Sequence, residues 1–369
     1  MLKQTILLTP IFLFAACAPP PPPVAPQPTA IAALPTQPAP KNPPPAPETP
    51  RALPPQTAQP KTPPPSPISK TQGGTLSPED RDKLRAHEKS FLPQLTAIEK
   101  WKEIAVVGER ENFAPSIVKL REGGYRIFWN SVSQKGITSA TSKDGIAFTK
   151  DSGVRLTNGG AGQKDCIASH PWVIALDAGY RMYYQGDTFC EMKPDVDHEF
   201  RVFSAFSTDG MNFTREGVRV DIGANGLAQA AHGRVLRLDD GTYRMYFSAN
   251  FVNKRGPADI LGASSKDGLT WTLDAAPILE RGHDPTVIKI GATIFIYTTF
   301  LGDNFVILES ADGKKFTPTT WVEFYDSSGK RIVELGDPDI LQLPDGRVLI
   351  YATGMGSRGV GIFEKQSAK

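Results

Sequence analysis

Four side chains with acid–base and metal-binding chemistry recur at the same place in a repeated pattern. Each stands just before a proline or a glycine that begins an extended, apolar run. These four residues are His170, His232, Asp284 and Asp337, and a fifth equivalent position is occupied by Ala114. His283 directly precedes Asp284. Imidazole and carboxylate groups exchange protons near neutral pH and ligate divalent metal ions. If the fold brings the five positions together, they form a polar site capable of either chemistry.

The segments that carry these residues repeat five times along the chain. Each copy begins with a short extended segment, passes a turn and enters a second run rich in aromatic residues. The first segments are residues 113–118, 170–174, 232–236, 283–288 and 336–341, and the second runs are residues 125–129, 180–184, 243–247, 294–297 and 348–351. Four of the five copies continue into a Ser-x-Asp-Gly turn, whose aspartates are Asp144, Asp209, Asp267 and Asp312. Asp-Gly suits a tight hairpin because glycine tolerates a positive φ.

This repeat predicts four strands per unit and therefore an all-β, five-bladed β-propeller. The turn aspartates and the second-run arginines Arg126, Arg181 and Arg244 are expected to have structural roles because they recur. The fifth copy lacks the Asp-Gly turn, and residues 101–107 are predicted to supply its missing strand beside residues 360–363. Closing the ring in this way leaves no long exposed sheet edge. An open solenoid of blades is the alternative architecture.

The repeats resemble the five-bladed propellers of glycoside hydrolase family 43 and its invertase-like relatives over about residues 101–365. The resemblance rests on the Asp-Pro-x-x-Val type of strand start, the Gly-x-Tyr-Arg-x-Tyr second strand and the Ser-x-Asp-Gly turn with its aromatic residue. In that family the starts of the inner strands carry an aspartate base, an aspartate that tunes the acid and a glutamate acid. The resemblance therefore implies a glycan-cleaving site on the axis, with carboxyl groups on both sides of the scissile bond.

Two alignments of these three roles onto the repeats are open. With Asp337 as the base, serines stand at the other two positions. With Asp284 as the base, Asp339 matches the tuning aspartate, but Phe113 stands where the acid is expected, two residues after Glu111. Neither alignment supplies all three carboxyl groups.

Three interpretations of the axial residues remain open: a structural plug of Asp–His pairs, a site that binds and cleaves a glycan, or a divalent metal site. For cleavage, an aspartate would act as base and an imidazole or a nearby glutamate as acid, and the candidate catalytic residues are Asp284, Asp337, His170 and His232. The candidate substrate-binding residues are His283, Asp339, Trp172, Trp129 and Asp187. A propeller that binds an envelope glycan or protein without catalysis is the alternative function.

The N-terminal part carries export and tethering signals. The predicted segments are a lipoprotein signal peptide over residues 1–17, a disordered Pro-rich linker over 18–76, a helical lead-in over 77–100 and the propeller over 101–369. Cys17 is the expected site of lipidation, and a helix is predicted over 78–91. This order predicts a lipid-anchored protein of the cell envelope, at the outer membrane.

The other two cysteines and the charge limit the remaining possibilities. Cys166 and Cys190 flank a predicted hairpin centred on Ala178, in which they would stand opposite each other, and we predict a disulfide between them. A net charge of +2 over 369 residues offers no electrostatic basis for binding nucleic acid. We expect a glycan or oligosaccharide partner, membrane contact only through the lipid anchor, and a monomer. The one cofactor that the residues suggest is a divalent metal ion at the axis.

Overall fold

The computed structural model describes residues 86–87, 89–191, 197–223, 226–254, 257–300, 304–333, 335–354 and 359–366. The predicted signal peptide and linker lie outside these residues, and so does most of the predicted helix over 78–91. Residues 86, 87 and 89 are helical, and a turn follows them. No helix within the described ranges is long and apolar enough to cross a membrane.

The strands are grouped into five blades, as the repeat predicted. Strand β1 (Ala97–Val107) precedes the first blade. Blade 1 contains β2 (Asn112–Lys119), β3 (Tyr125–Ser131), β4 (Gly136–Ser142) and β5 (Phe148–Lys150), with β6 (Leu156–Thr157) paired to β4. Blade 2 contains β7 (Ile167–Leu176), β8 (Gly179–Asp187), β9 (Phe200–Ser207) and β10 (Thr214–Val220). Blade 3 contains β11 (Leu227–Arg237), β12 (Tyr243–Phe251), β13 (Asp259–Ser265) and β14 (Thr272–Leu273).

The last two blades are joined through the N-terminal strand. Blade 4 contains β15 (Gly282–Ile290), β16 (Thr293–Phe300), β17 (Asn304–Ser310) and β18 (Thr317–Tyr325), with β19 (Arg331–Ile332) paired to β18. Blade 5 contains β20 (Leu335–Gln342), β21 (Val348–Gly354), β22 (Val360–Lys365) and β1. The pairing of Val107 with Val360 confirms that the N-terminal strand completes the last blade.

Strand β1 is longer than predicted. It starts at Ala97, because its second edge pairs in parallel with β18 over six residues from Ala97 to Lys102. The end of the predicted helical lead-in, residues 97–100, is therefore β-strand. The parallel pairing also merges blades 4 and 5 into one continuous sheet.

Burial explains why the second strand of each blade is so apolar. Every residue of β3 and of β8 is buried, since both faces of a blade pack against neighbouring blades. Strands covered on both faces are expected as nearly continuous apolar runs rather than as alternating ones. Tyr183, Tyr246 and Tyr351 are fully buried aromatic residues of these second strands.

Each Ser-x-Asp-Gly turn is held by its own side chains. In blade 1 the Ser142 hydroxyl accepts a hydrogen bond from the Gly145 N–H group at 2.9 Å. The Asp144 carboxylate accepts bonds from the N–H groups of Ile146 and Ala147 at 2.8 and 2.9 Å. The equivalent turns of blades 2, 3 and 4 repeat this set of bonds. The turn aspartates are therefore structural.

Side chains of one blade also hold the turn of the next blade, and we call each such contact a latch. The latch bonds run from Arg126 to the Gly210 carbonyl (3.3 Å), from Tyr183 to Gly268 (2.9 Å), from Tyr246 to Gly313 (2.9 Å) and from Tyr351 to Gly145 (2.6 Å). Arg181 and Arg244 add bonds of 3.1 and 3.0 Å to the same turns. Blade 5 has no such turn, and the pairing of β18 with β1 joins it to blade 4 instead.

A disulfide joins Cys166 to Cys190, with Cα atoms 5.0 Å apart. The hairpin register differs from the predicted one. Leu176 pairs with Gly179, so the turn contains residues 177 and 178 and is not centred on Ala178. A bulge between Ser169 and Trp172 shifts the register once more. Cys190 therefore lies beyond the position directly opposite Cys166.

Candidate functional site

The five positions singled out from the sequence share one unusual backbone conformation. Ala114, His170, His232, Asp284 and Asp337 have φ between 49° and 52°. All five lie in the first strand of their blade, which we call the inner strand. At each of them the pairing of the inner strand with the second strand shifts register, which defines a β-bulge. The residue that follows is Pro or Gly, and a bulge tolerates Pro because its missing N–H group is not needed in the ladder.

A positive φ is costly for a residue with a side chain, on the order of 1–3 kcal/mol, and such residues cluster at functional sites. Here the cost is repeated in every blade, so the bulge belongs to the architecture as well. Three of the five residues are held by an N–H bond to a second-strand side chain of the preceding blade. These bonds join Ala114 to Thr353 (3.4 Å), His170 to Asn130 (2.9 Å) and Asp284 to Ser248 (3.1 Å).

The bulges bring three imidazoles and two carboxylates into one group, the axial cluster of His170, His232, His283, Asp284 and Asp337. His170 Nε2 lies 3.3 Å from Asp337 Oδ1. His232 stands between the carboxylates, with Nδ1 2.9 Å from Asp284 Oδ1 and Nε2 4.0 Å from Asp337 Oδ1. His283 Nδ1 lies 2.6 Å from Asp284 Oδ1. Each aspartate is thus within ion-pair distance of an imidazole.

The cluster is tightly packed but remains accessible at one residue. The ring centroids of His170 and His232 are 4.4 Å apart, and those of His232 and His283 are 4.6 Å apart. The His283 side chain is 45% exposed, whereas that of His232 is 7% exposed. The Asp284 and Asp337 side chains are 13% and 17% exposed. A ligand would therefore meet His283 first and then the edges of the two carboxylates.

The environment pushes the pKa values of these groups in different directions. Burial lowers the pKa of His232 to about 4, against the opposing charge of Asp284, so His232 is neutral at pH 7. Partial burial also tends to lower the pKa of His283, but the Asp284 carboxylate outweighs this effect, so the pKa of His283 is raised. Burial opposes ionisation of both aspartates, yet nearby imidazoles, chiefly His283 and His170 respectively, lower the pKa of Asp284 and of Asp337. Both carboxylates are therefore ionised.

A second layer of side chains lies two residues further along each inner strand: Ser116, Trp172, Arg234, Thr286 and Asp339. Arg234 is 0% exposed and donates hydrogen bonds to the carbonyls of Pro171 (2.8 Å) and Pro285 (3.1 Å), which links three inner strands. Its guanidinium carbon lies 5.2 Å from the centroid of the Trp172 ring. This layer closes the axis beneath the cluster.

Asp339 belongs to this buried layer. Its carboxylate accepts hydrogen bonds from the N–H groups of Ile117 (2.5 Å) and Ile340 (2.6 Å). Burial raises the pKa of Asp339 to about 7, although Arg234 acts in the opposite direction. Asp339 is 1% exposed, so direct contact with a ligand is not available to it.

Of the five candidate substrate-binding residues, only His283 reaches the accessible surface of the cluster. Asp339, Trp172, Trp129 and Asp187 are 1%, 7%, 2% and 1% exposed, and the direct ligand contact expected of them is not available. Trp172 donates its indole N–H to the Val235 carbonyl at 2.8 Å. Trp129 packs in an apolar cluster between blades 5 and 1. The Asp187 carboxylate lies 2.6 Å from His198 Nδ1.

The residue types and spacing of the cluster also fit a metal ion. Two overlapping sets of three residues place their ligand atoms within 4.8 Å of one another: His170 with His232 and Asp337, and His232 with His283 and Asp284. Two imidazole nitrogens and one carboxylate oxygen form a ligand set that suits zinc and related divalent ions.

No protein-family model and no curated protein matches the sequence. Solved structures of glycoside hydrolases share the fold. A thermostable family-43 glycoside hydrolase aligns with a TM-score of 0.54 and 16% identity over 73% of this chain and 93% of its own. A family 117 glycoside hydrolase from the marine bacterium Zobellia galactanivorans aligns with a TM-score of 0.54 and 16% identity over 73% of this chain and 90% of its own. An α-L-arabinofuranosidase from Lactobacillus brevis aligns with a TM-score of 0.54 and 11% identity over 69% of this chain and 90% of its own. The chain is thus a five-bladed β-propeller of the kind found in family 43 and 117 glycoside hydrolases.

Proposed function

We propose that the propeller binds a glycan at the axial cluster and hydrolyses a glycosidic bond there. The observation that carries the proposal is the contact of a half-exposed imidazole with a carboxylate: His283 Nδ1 lies 2.6 Å from Asp284 Oδ1, which raises the pKa of His283, while the imidazoles lower the pKa of Asp284 and of Asp337. Neighbouring groups with pKa values pushed apart are the usual basis for assigning acid and base. The glycoside hydrolase fold of the similar structures supports the same function.

The geometry suggests a division of roles. His283, the exposed imidazole, would in its protonated form donate a proton to the glycosidic oxygen as the bond of that oxygen to the anomeric carbon breaks. Asp337 would take a proton from the water molecule whose oxygen forms the new bond to that carbon. Asp284 favours the protonated form of His283 through their 2.6 Å contact. His232 is neutral, so its role is to position the two carboxylates rather than to donate the proton.

The test is turnover of a panel of chromogenic pentose and hexose glycosides by the full chain. Asp337→Asn is expected to lower the rate at least about 100-fold, because general acid–base catalysis typically contributes 10²–10⁴-fold. Asp312→Asn, in a Ser-x-Asp-Gly turn, is the matched control and should leave the rate unchanged. If the wild-type chain binds glycans without turnover and Asp337→Asn abolishes that binding, the non-catalytic alternative replaces hydrolysis.

A second candidate function is binding of a divalent cation, supported by the two overlapping ligand sets. Titration of the full chain with Zn²⁺ in a calorimeter would measure it directly. His232→Ala removes the residue shared by both sets and should abolish binding, whereas His87→Ala serves as a control outside the cluster. Failure of the wild-type chain to bind Zn²⁺, Mn²⁺ or Ca²⁺ would exclude a metal role.

We also propose that Cys17 is lipidated and anchors the propeller in the cell envelope. The support is the sequence of residues 1–17 and the Pro-rich composition of residues 18–76. Labelling of the expressed protein with a fatty acid should mark the wild-type chain and not Cys17→Ser, which should also leave the membrane fraction. Equal labelling of both chains would contradict the anchor.

A further inference from the structure

The junction of blades 1 and 2 differs from the other junctions that a latch holds. At three junctions a hydroxyl of the second strand donates to the glycine carbonyl of the next Ser-x-Asp-Gly turn, and these hydroxyls belong to Tyr183, Tyr246 and Tyr351. In blade 1 the equivalent residue is Phe128, which has no hydroxyl group. Arg126 alone holds the carbonyl of Gly210 there, at 3.3 Å. The latch between blades 1 and 2 therefore lacks its tyrosine bond.

The turn at this junction also carries a residue that can be chemically modified. The residues that follow Gly in the four turns are Ile146, Met211, Leu269 and Lys314. Of these residue types, peroxides readily oxidise the thioether of methionine. Met211 is partly exposed, whereas Met182 and Met245 are fully buried. Oxidation of a turn residue in this way is therefore possible in blade 2 and not in the equivalent turns.

The Met211 sulfur contacts a buried arginine of blade 1. Arg155 is 6% exposed and directly precedes β6. Its Nη1 atom lies 3.0 Å from Met211 Sδ, and its Nη2 atom donates a hydrogen bond to the Ser152 carbonyl. Its Nε atom is buried and has no hydrogen-bond partner among the residues that the structure describes. Burial lowers the pKa of Arg155, which means that the protein compensates its charge incompletely.

Oxidation would improve the surroundings of this guanidinium. A thioether sulfur is a weak hydrogen-bond acceptor, and a buried charge is costly unless strong acceptors surround it. Methionine sulfoxide carries a polar oxygen atom on the same sulfur. In an apolar core such an oxygen disrupts packing. Beside Arg155 it would instead accept a charge-assisted hydrogen bond, which is about twice as strong as a neutral one.

We propose that Met211 is an oxidation site for peroxides, and that its sulfoxide oxygen accepts a hydrogen bond from Arg155 and thereby strengthens the junction of blades 1 and 2. The sulfur attacks one oxygen of hydrogen peroxide. An S–O bond forms, the O–O bond breaks, and the second oxygen leaves as water with the proton of the first. The sulfur loses two electrons, which the peroxide takes up. This inference does not depend on the proposed hydrolysis.

The experiment uses the full chain with Met192→Leu and Met355→Leu, because these two methionines lie outside the described residues and their oxidation would complicate the result. After brief treatment with dilute hydrogen peroxide, peptide mass spectrometry should find one added oxygen atom on Met211 and none on Met182 or Met245. The midpoint of thermal unfolding should rise by roughly 2–4 °C, the shift expected for one added hydrogen bond to a charged group. Met211→Leu in the same background is the matched control, and peroxide should leave its midpoint unchanged.

Two further variants test the contact itself. In Arg155→Gln the cation is gone, so oxidation of Met211 should no longer raise the unfolding midpoint. Met211→Gln places a carbonyl oxygen on an unbranched side chain of similar length, which imitates the sulfoxide without any oxidant. It should unfold roughly 2–4 °C above Met211→Leu, and this comparison provides a readout even if Arg155→Gln does not fold.

The outcomes decide the proposal in both directions. Peroxide that oxidises free methionine but leaves Met211 unmodified would show that Met211 is not an oxidation site. An unchanged or lower unfolding midpoint after oxidation of Met211 would overturn the bond to Arg155. So would a rise of equal size in Arg155→Gln, or a Met211→Gln chain that is no more stable than Met211→Leu.

Discussion

The propeller contains two sets of equivalent positions with opposite behaviour. Around the axis, five bulges of nearly identical geometry carry Ala, His, His, Asp and Asp. At the periphery, four turns of nearly identical geometry carry the same Ser-x-Asp-Gly sequence and the same hydrogen bonds. Where the fold needs a side chain, the repeat keeps it. At the bulges the fold needs only the backbone conformation, so the side chain differs from blade to blade. Four of the five side chains there are titratable, and they come together at the axis.

The aspartates of the two sets are ionised for different reasons. Bonds from backbone N–H groups lower the pKa of Asp267 and of Asp312 to about 2, with little opposition because these turns face solvent. At the axis, burial opposes ionisation, and imidazoles must supply the compensating charge to Asp284 and Asp337. Local backbone geometry sets the peripheral charges, whereas imidazoles of the same blade (for Asp284) and of another blade (for Asp337) set the axial ones.

The largest effect is expected for Arg234→Met, because Arg234 supports the axial set from beneath. The change removes two hydrogen bonds to carbonyls of other blades and the positive charge nearest Asp339. We expect the free energy of unfolding to fall by about 3–5 kcal/mol, measured by chemical denaturation. The exposed Arg347, which pairs with Asp345 at 2.8 Å and Glu364 at 3.1 Å, is the matched control, and Arg347→Met should leave the free energy of unfolding nearly unchanged because exposed ion pairs contribute little.

A second change distinguishes lost charge compensation from lost packing. In the double variant Arg234→Met with Asp339→Asn, the carboxylate that Arg234 compensates is gone as well. Part of the stability should then return. If the double variant is no more stable than Arg234→Met, the guanidinium acts through packing against Trp172 and not through its charge.

The next effect concerns the pH dependence of hydrolysis. The proposed mechanism requires ionised Asp337, whose pKa is lowered from 3.8, and protonated His283, whose pKa is raised from 6.5. The rate should therefore decline as pH falls through the pKa of Asp337 below 3.8 and as pH rises through the pKa of His283 above 6.5. His283→Gln should lower the rate about 100-fold and abolish the decline at high pH. A high-pH decline that persists in His283→Gln would assign the acid to another group.

Much of this architecture is predictable from local sequence. The five Pro- or Gly-marked strand starts and the four Asp-Gly turns indicate the blades, because each rests on a backbone conformation that few residue types adopt. The closing role of β1 follows from the missing turn of the last copy. The early start of β1 at Ala97 cannot be predicted in this way, because its parallel partner β18 is distant in sequence.

The candidate site is only partly predictable, because some of its contacts also join residues that are distant in sequence. The bulge residues are found because each is marked by its own neighbour in the chain. Arg234 carries no such mark, and its position depends on the bulge that shifts the strand register. The burial of Trp172 depends on Arg234 of the next blade, which no pattern within one repeat reveals.

The smallest effects belong to the peripheral set. Tyr351→Phe removes one latch bond, from the Tyr351 hydroxyl to the Gly145 carbonyl at 2.6 Å, and should lower the free energy of unfolding by about 1 kcal/mol without changing hydrolysis. Tyr246→Phe removes the equivalent bond to Gly313 at 2.9 Å and should cost a similar amount. Because the two latches share no partners, the double variant should lose the sum of the single losses. A loss well above that sum, or a change in turnover, would mean that the peripheral turns are coupled to each other or to the axis and that the division between the two sets is incomplete.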